Sequence, residues 1–347
     1  MELTAYMSPM WSYIMKLLYV SCHSILEYDE IRLFHELGID VFSHGTYKNP
    51  KQIDDPKRPT LDLPDHSDFC ELIKDDNKMN IPQEIIDWAD VILFNGRNDW
   101  VHGNWEHMRG KDVIFRSIGQ ATLDTEKDLK PLVMQGLHIV RYSPRERTIP
   151  GYCGEDAIIR FYKDPLEFKD WNGCQRIVLN VSQDMIARDD HCNFTFFKEA
   201  TEGFDRMLIG KGSEAAGDWG KGIVSYEDMK YKMRDCRVYF YTGTYPASYT
   251  LNFIEALMTG MPMVALGPIM GNSPYHHEQQ TYEIPNFTNG TRGILLADDV
   301  ETARTHIKYF MENLVSSQVM SCENRELAIK LFGKETIKKQ WKKYFNV

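Results

Sequence analysis

In residues 245–267, YPASYTLNFIEALMTGMPMVALG, a single carboxylate, Glu255, interrupts an otherwise apolar helical pattern. At about 100° per residue, Leu251, Ile254, Leu257 and Met258 form one apolar stripe, and Glu255 lies about 40° from Leu251 on its shoulder. Burying such a group unpaired costs several kcal/mol, so it needs a partner from the protein or from a ligand. A carboxylate accepts two hydrogen bonds from a cis-diol such as ribose, and bonds to a charged group contribute roughly 1.5–3 kcal/mol. One turn earlier, Ser248, Tyr249 and Thr250 lead into Leu251. The amide hydrogens and positive dipole end there make a seat for phosphate, worth up to about 2 kcal/mol when partly buried. The same pattern also fits a plain ion pair between Glu255 and an Arg or Lys at a domain surface. Gly260 and Pro262 end the helix and send the chain into MVALG.

Other polar residues stand at the ends of apolar runs. His23 and Ser24 follow KLLYVSC, and Asn95, Gly96 and Arg97 follow VILFN. At such positions they face a ligand cleft, and His23 is the candidate for orienting a bound ligand group. A histidine bonded to local backbone is the plain alternative. Trp100 and Trp105 in NDWVHGNW offer either a stacking platform for a sugar or base, or ordinary packing. His276, His277 and Glu278 do not make a metal site, because adjacent side chains diverge and ligand spacing is absent.

A parallel α/β architecture must position these residues. Short apolar runs (KLLYVSC, IDVFSH, VILFN, DVIFRS, LHIVRYS, DAIIRFY) alternate with helical patterns such as LEYDEIRLFHELG, stopped by Gly38. The rhythm restarts with RIVLNVS, DRMLIG, RVYFYTG, MVALG and RGILLAD. Ser225 and Asp228 have capping-box spacing. Two Rossmann-like, doubly wound domains are therefore expected to face each other across a cleft, with a seam near residues 163–173. Residues 1–170 form the first domain and residues 171–333 the second, which the family resemblance described below makes the acceptor and donor domains respectively. Ligands of such folds sit at the carboxyl ends of the strands. The terminal helix, residues 334–347, carries Ile337, Trp341 and Tyr344 as an apolar stripe edged by Lys338, Lys339, Lys342 and Lys343. It either joins the first domain or lies on an anionic membrane.

Composition agrees. A length of 347 residues suits two domains, and 43% hydrophobic with 26% charged residues suits a globular chain. The net charge of −10 opposes a surface built to hold nucleic acid or anionic lipid. Seven scattered cysteines give no zinc framework and predict reduced thiols in a cytoplasm, the host's if the chain is viral. The apolar run at the start is interrupted by Lys16 and is too short to span a bilayer, and Met15 is an alternative start.

ASYTLNFIEALMTGMPMVA resembles the nucleotide-sugar signature of the retaining GT-B glycosyltransferases, the group that includes sucrose synthase and bacterial mannosyltransferases. DRMLIGKGS, GIVSYEDM and RVYFYTG upstream, and NGTRGILLADDVETARTHIKYFMEN downstream, resemble the motifs that flank it. The likeness covers about residues 176–345, and the first half is similar in architecture alone. It implies a GT-B fold and hexosyl or pentosyl transfer from a UDP- or GDP-linked donor, with retention, without metal and without a resident cofactor. Glu255 would hold the ribose, with Ser248, Tyr249, Thr250 and Leu251 around the donor. Arg188, alone or with Lys211, would meet the diphosphate, and the base would lie beside Val224 and Tyr226.

Three departures stand out. Ala247 replaces the first of the signature's two glutamates, Asp189 occupies the lysine slot after Arg188, and RSIGQ offers Gln120 where the family often has a histidine. Arg188 and His23 are then the catalytic candidates, and Ser24, Asn95, Arg97, Trp100 and Gln120 the acceptor-side ones. The acceptors implied are a glycan, a lipid-linked sugar or a small molecule. A hydroxymethylated pyrimidine in DNA is a further reading, by analogy with phage-like glycosyltransferases of this architecture. A nucleotide-sugar epimerase and a non-catalytic nucleotide-binding module complete the alternatives, the last motivated by Ala247 and the missing lysine.

Overall fold

The structure, a computed structural model, describes residues 14–48, 58, 61–73, 76–119, 121–273 and 277–347. Its strands form two parallel sheets. The first runs β2-β1-β3-β4-β5-β6, with β1 (Lys16–Ser21), β2 (Asp40–His44), β3 (Val91–Asn95), β4 (Asp112–Arg116), β5 (His138–Arg141) and β6 (Ala157–Ile158). The second runs β11-β10-β9-β7-β8, with β7 (Gln175–Val181), β8 (Arg206–Ile209), β9 (Cys236–Tyr241), β10 (Met263–Leu266) and β11 (Ile294–Ala297). The central strands VILFN and CRVYFY are buried throughout, as strands covered by helices on both faces must be. The strand order reverses beside β1 in one sheet and beside β7 in the other. Those are the places where a doubly wound sheet opens a crevice at its carboxyl edge.

Each expected strand is present. DAIIRFY contributes only Ala157–Ile158, paired with Val140–Arg141 at the sheet edge. Beyond it, Arg160 leaves the sheet to bind Glu283 of the second half. The helical pattern CNFTFFKEATEG is split by Asn193, whose φ of 56° separates Asp189–Cys192 from Phe194–Ala200. Ser225 caps Tyr226–Asp235, accepting the Asp228 amide at 3.0 Å. Gly260, at φ 87°, closes Leu251–Thr259 in the left-handed region that glycine tolerates.

The helix Lys334–Phe345 returns to the first half. Ile337, Trp341 and Phe345 share a core with Leu17, Phe34 and Ile114, and the Trp341 ring meets Phe34 edge-on at 5.0 Å. That apolar face is therefore covered by protein, while Lys339, Lys342 and Lys343 point outward. Among the described residues no helix is long and apolar enough to cross a membrane. The outgoing and returning strands of the chain touch where they pass between the halves. Lys163 pairs with Gly333, and its amide donates to the Phe332 carbonyl at 2.9 Å.

Candidate active site

Two open spaces adjoin at the carboxyl edge of the second sheet. One, of about 520 Å³, is lined by Ile25, Arg58, Gly210, Val224, Tyr226 and Glu255 among others. The other, of about 800 Å³, is lined by His23, Asn180, Arg188, Thr242, Thr244 and Thr250. Val181, Gln183 and Asn252 line both, so the two form one trough. Its floor belongs to the second half, while Ile25, Arg58 and His23 reach in from the first.

Glu255 lies at one end and is 2% exposed. Its Oε1 is 2.9 Å from Lys163 Nζ, accepts from the Tyr226 hydroxyl at 3.3 Å, and is 4.0 Å from Arg58 Nη2. An ion pair is thus part of the answer to why a carboxylate sits here. Its cation, however, is buried at the meeting of the halves rather than on a surface, and Glu255 still borders the trough. Val224 and Tyr226 line the same end. The Arg58 guanidinium lies 3.5 Å over the Tyr226 ring centre, so that face is already covered.

The entrance of helix Leu251–Thr259 is only partly open to the trough. Thr250, its N-cap residue, lines the larger space, as does Asn252 in the first turn. Ser248 does not reach it: its amide donates to the Tyr142 hydroxyl, and its carbonyl accepts from the Glu283 amide. Tyr249 turns away as well, into an aromatic cluster with Phe161, Phe287 and Phe332, its hydroxyl donating to the Tyr142 carbonyl at 2.8 Å. Leu251 packs into the core. The Tyr249 ring packs edge-on against Tyr142 and Phe332, and Ser248 is buried beside it.

At the other end, His23 and Arg188 share the larger space. His23 caps helix Ser24–Glu36, its Nδ1 accepting the Leu26 amide at 3.4 Å. A neutral ring bonded this way carries its proton on Nε2. Burial, with help from the Lys163 charge, holds the histidine pKa below its ordinary value. His23 therefore presents a hydrogen-bond donor. Arg188 is exposed and has no ion-pair partner among the described residues.

Lys211 is placed differently from expectation. It is 68% exposed on its side chain and sits 3.5 Å from Asp184, outside the residues lining the trough. Gln183 lines the trough instead, its Oε1 accepting the Lys211 amide at 2.8 Å.

The first-half candidates mostly lie elsewhere. Asn95 is fully buried and donates to the Tyr19 hydroxyl at 2.6 Å. Arg97 forms an outward ion pair with Asp99 and lies 5.3 Å over the Trp100 ring. Trp100 and Trp105 pack against the core of the first half, and Trp105 donates to Gln135. Ser24 is half-buried and is not among the residues lining either space. Gln120 and His276 lie outside the described residues. Ala247, where the family's first glutamate would stand, is packed against Gly119 of the opposite half. A Cβ added at Gly119 would come within 2.9 Å of Ala247 Cβ.

Sequence reasoning missed Lys163, Arg58 and Asn180. Asn180 is buried and donates to the Phe240 carbonyl at 2.7 Å and to Thr242 Oγ1 at 3.1 Å, leaving its Oδ1 without a partner at the trough. An asparagine inside the strand pattern RIVLNVS was the signal for it. Arg58 and Lys163 lie far from the signature in sequence, and nothing local marks them.

No protein-family model matches the chain, and no curated protein matches it in sequence. Solved structures do match in three dimensions. Anabaena Alr3699/HepE, solved with UDP and glucose, aligns over 96% of this chain and 99% of its own, at a TM-score of 0.69 and 12% identity. A glycosyltransferase from Rickettsia africae aligns over 96% and 98%, at 0.67 and 12%. The lipopolysaccharide outer core galactosyltransferase WaaB aligns over 96% and 99%, at 0.55 and 12%. At that identity the likeness concerns the fold: the chain has the α/β GT-B architecture, two Rossmann-like sheets facing across a cleft.

Proposed function

We propose that this protein transfers a sugar from a nucleoside diphosphate sugar, UDP- or GDP-linked, to an acceptor hydroxyl. One observation carries the reading: a continuous trough with a buried carboxylate at one end, and a helix entrance, a free guanidinium and a hydrogen-bond donor at the other. The base lies beside Val224, the ribose hydroxyls bond to Glu255, and the diphosphate meets Thr250, Asn252 and Arg188. The binding of UDP by Alr3699/HepE, which has the same fold, supports a nucleotide-sugar donor.

Charge developing on the departing diphosphate is met by Arg188 and the first-turn amides, the electrostatic role that a metal plays in other transferases. Reaction proceeds with retention: the departing phosphate oxygen takes the acceptor's proton on the same face, and His23 Nε2–H orients the reacting oxygens. This route calls for no side-chain base, which suits a histidine whose Nδ1 is already engaged. No resident cofactor is required. The acceptor, a glycan, lipid-linked sugar or small molecule, enters from the first half.

Thermal melting with a panel of nucleotide sugars tests the donor, since only a ligand of the folded state raises the melting point. Glu255→Ala is expected to weaken UDP or GDP binding about tenfold or more through loss of charged hydrogen bonds. Unchanged affinity in calorimetry would remove Glu255 from the ribose and the reading with it.

A further inference from the structure

Lys163 is 1% exposed and sits where both interdomain connections run side by side. Its Nζ is 2.9 Å from Asp29 Oδ2 and 2.9 Å from Glu255 Oε1. Asp29 lies on helix Ser24–Glu36 of the first half, the helix capped by His23. Glu255 lies on helix Leu251–Thr259 of the second half. One ammonium group therefore holds two buried carboxylates from opposite halves, and each carboxylate belongs to the helix that begins at the reactive end of the trough.

We propose that Lys163 is a positioning residue that makes donor capture depend on interdomain alignment, by tying Glu255 to Asp29 through its charge. The proposal rests on the reading of Glu255 as the ribose ligand. Among the described residues, the charged groups around this centre are few. Glu255 faces Lys163, Arg58 and the Tyr226 hydroxyl. Asp29 faces Lys163 and also attracts Arg58, which is like-charged to Lys163. Lys230 and Glu167 lie beyond Tyr226, and His23 feels Lys163 from the trough. Burial works against the Lys163 charge, yet Asp29 and Glu255 outweigh it and hold the lysine pKa above its ordinary value.

Arg58, stacked on Tyr226, reaches Glu255 only at 4.0 Å, against 2.9 Å for Lys163, so it is the weaker counter-charge. Without the ammonium, two like charges share one dry site with only the more distant Arg58 to balance them, and one carboxyl takes up a proton, as paired carboxylates do. A protonated or displaced Glu255 is a poorer acceptor for ribose hydroxyls. Removing the Asp29 charge as well relieves the conflict.

The test titrates UDP and GDP calorimetrically, from about pH 5.5 to 8.5. It compares the wild type with Lys163→Met, Asp29→Asn/Lys163→Met and Glu255→Gln. Relative to the wild type, Lys163→Met is expected to bind about tenfold more weakly near pH 6 and to acquire a pH dependence. The double variant should recover most of the affinity and lose that dependence, an outcome that a packing role for Lys163 does not produce. If Lys163→Met does not fold, the double variant carries the test by binding within about threefold of the wild type at all pH values.

An affinity loss in Lys163→Met that is equal at every pH and unrelieved in the double variant overturns the proposal. So does a Lys163→Met that binds like the wild type while Glu255→Gln is weakened. Unchanged binding by Glu255→Gln overturns the donor reading itself, and this inference with it.

Discussion

In the proposed reaction, Arg188 and His23 divide the work at the larger end of the trough by their chemistry. The guanidinium is permanently charged and exposed, and the imidazole is neutral with its proton on the open nitrogen. Arg188→Ala is therefore expected to weaken nucleoside diphosphate binding and turnover while leaving nucleoside binding unchanged, because a nucleoside has no phosphate for it to meet. Equal losses for both ligands in calorimetry would contradict that role.

Glu146 is a second residue with a measurable signature. It is buried, with Ser117 donating to its Oε2 at 2.6 Å, and burial raises its pKa from 4.5 to about 7 despite the opposing charge of Arg141. The folded protein thus keeps a proton that the unfolded chain releases once the pH passes 4.5. The stability contributed by that proton is present at lower pH and is lost as the pH rises toward 7. Glu146→Gln should flatten the fall in melting temperature between about pH 5 and 8, and parallel wild-type and variant curves would refute it.

Helix Leu251–Thr259 shows how much of a site one element can reveal. Its apolar stripe, its Gly260 stop and the shoulder position of Glu255 were all readable, because a helix fixes the relative angles of its residues. The turn before it was not readable. Whether Ser248 and Tyr249 face ligand or protein depends on Tyr142, which is more than a hundred residues away. The terminal helix gives the converse case: its stripe was legible, but the stripe alone does not say what covers it. Trp341, fully buried against Phe34 and Phe345, anchors it. Trp341→Ala should cost about 3–5 kcal/mol in urea unfolding, the usual loss for a large buried ring. A loss under about 1 kcal/mol would mean the helix docks without it.

Across the molecule the halves are joined by more than the covalent crossover. Glu283, 2% exposed on its side chain, takes a bidentate bond from Arg160 and a hydrogen bond from Ser143 at 2.6 Å, both from the first half. Arg160→Met should destabilise the protein by about 3–5 kcal/mol by leaving a buried carboxylate with too few partners. Arg160→Met/Glu283→Gln should regain much of that in chemical unfolding, and a double variant no more stable than the single would argue against the pair.

From sequence alone, the alternation of apolar runs and helical periods set out two parallel sheets. The family signature implied Glu255 and Thr250, and the likeness of the segments before it implied Arg188, Val224 and Tyr226, all of which border the trough. Those features depend on contacts along one element or between neighbours in the chain. The tertiary structure alone decided that Lys163 balances Glu255, that Arg58 covers Tyr226, that Lys211 and Asn95 face away, and that Ala247 meets Gly119. Each of these is a pairing between distant segments, and charge and close packing at such a contact depend on which groups the fold brings within a few ångströms, which no local pattern encodes.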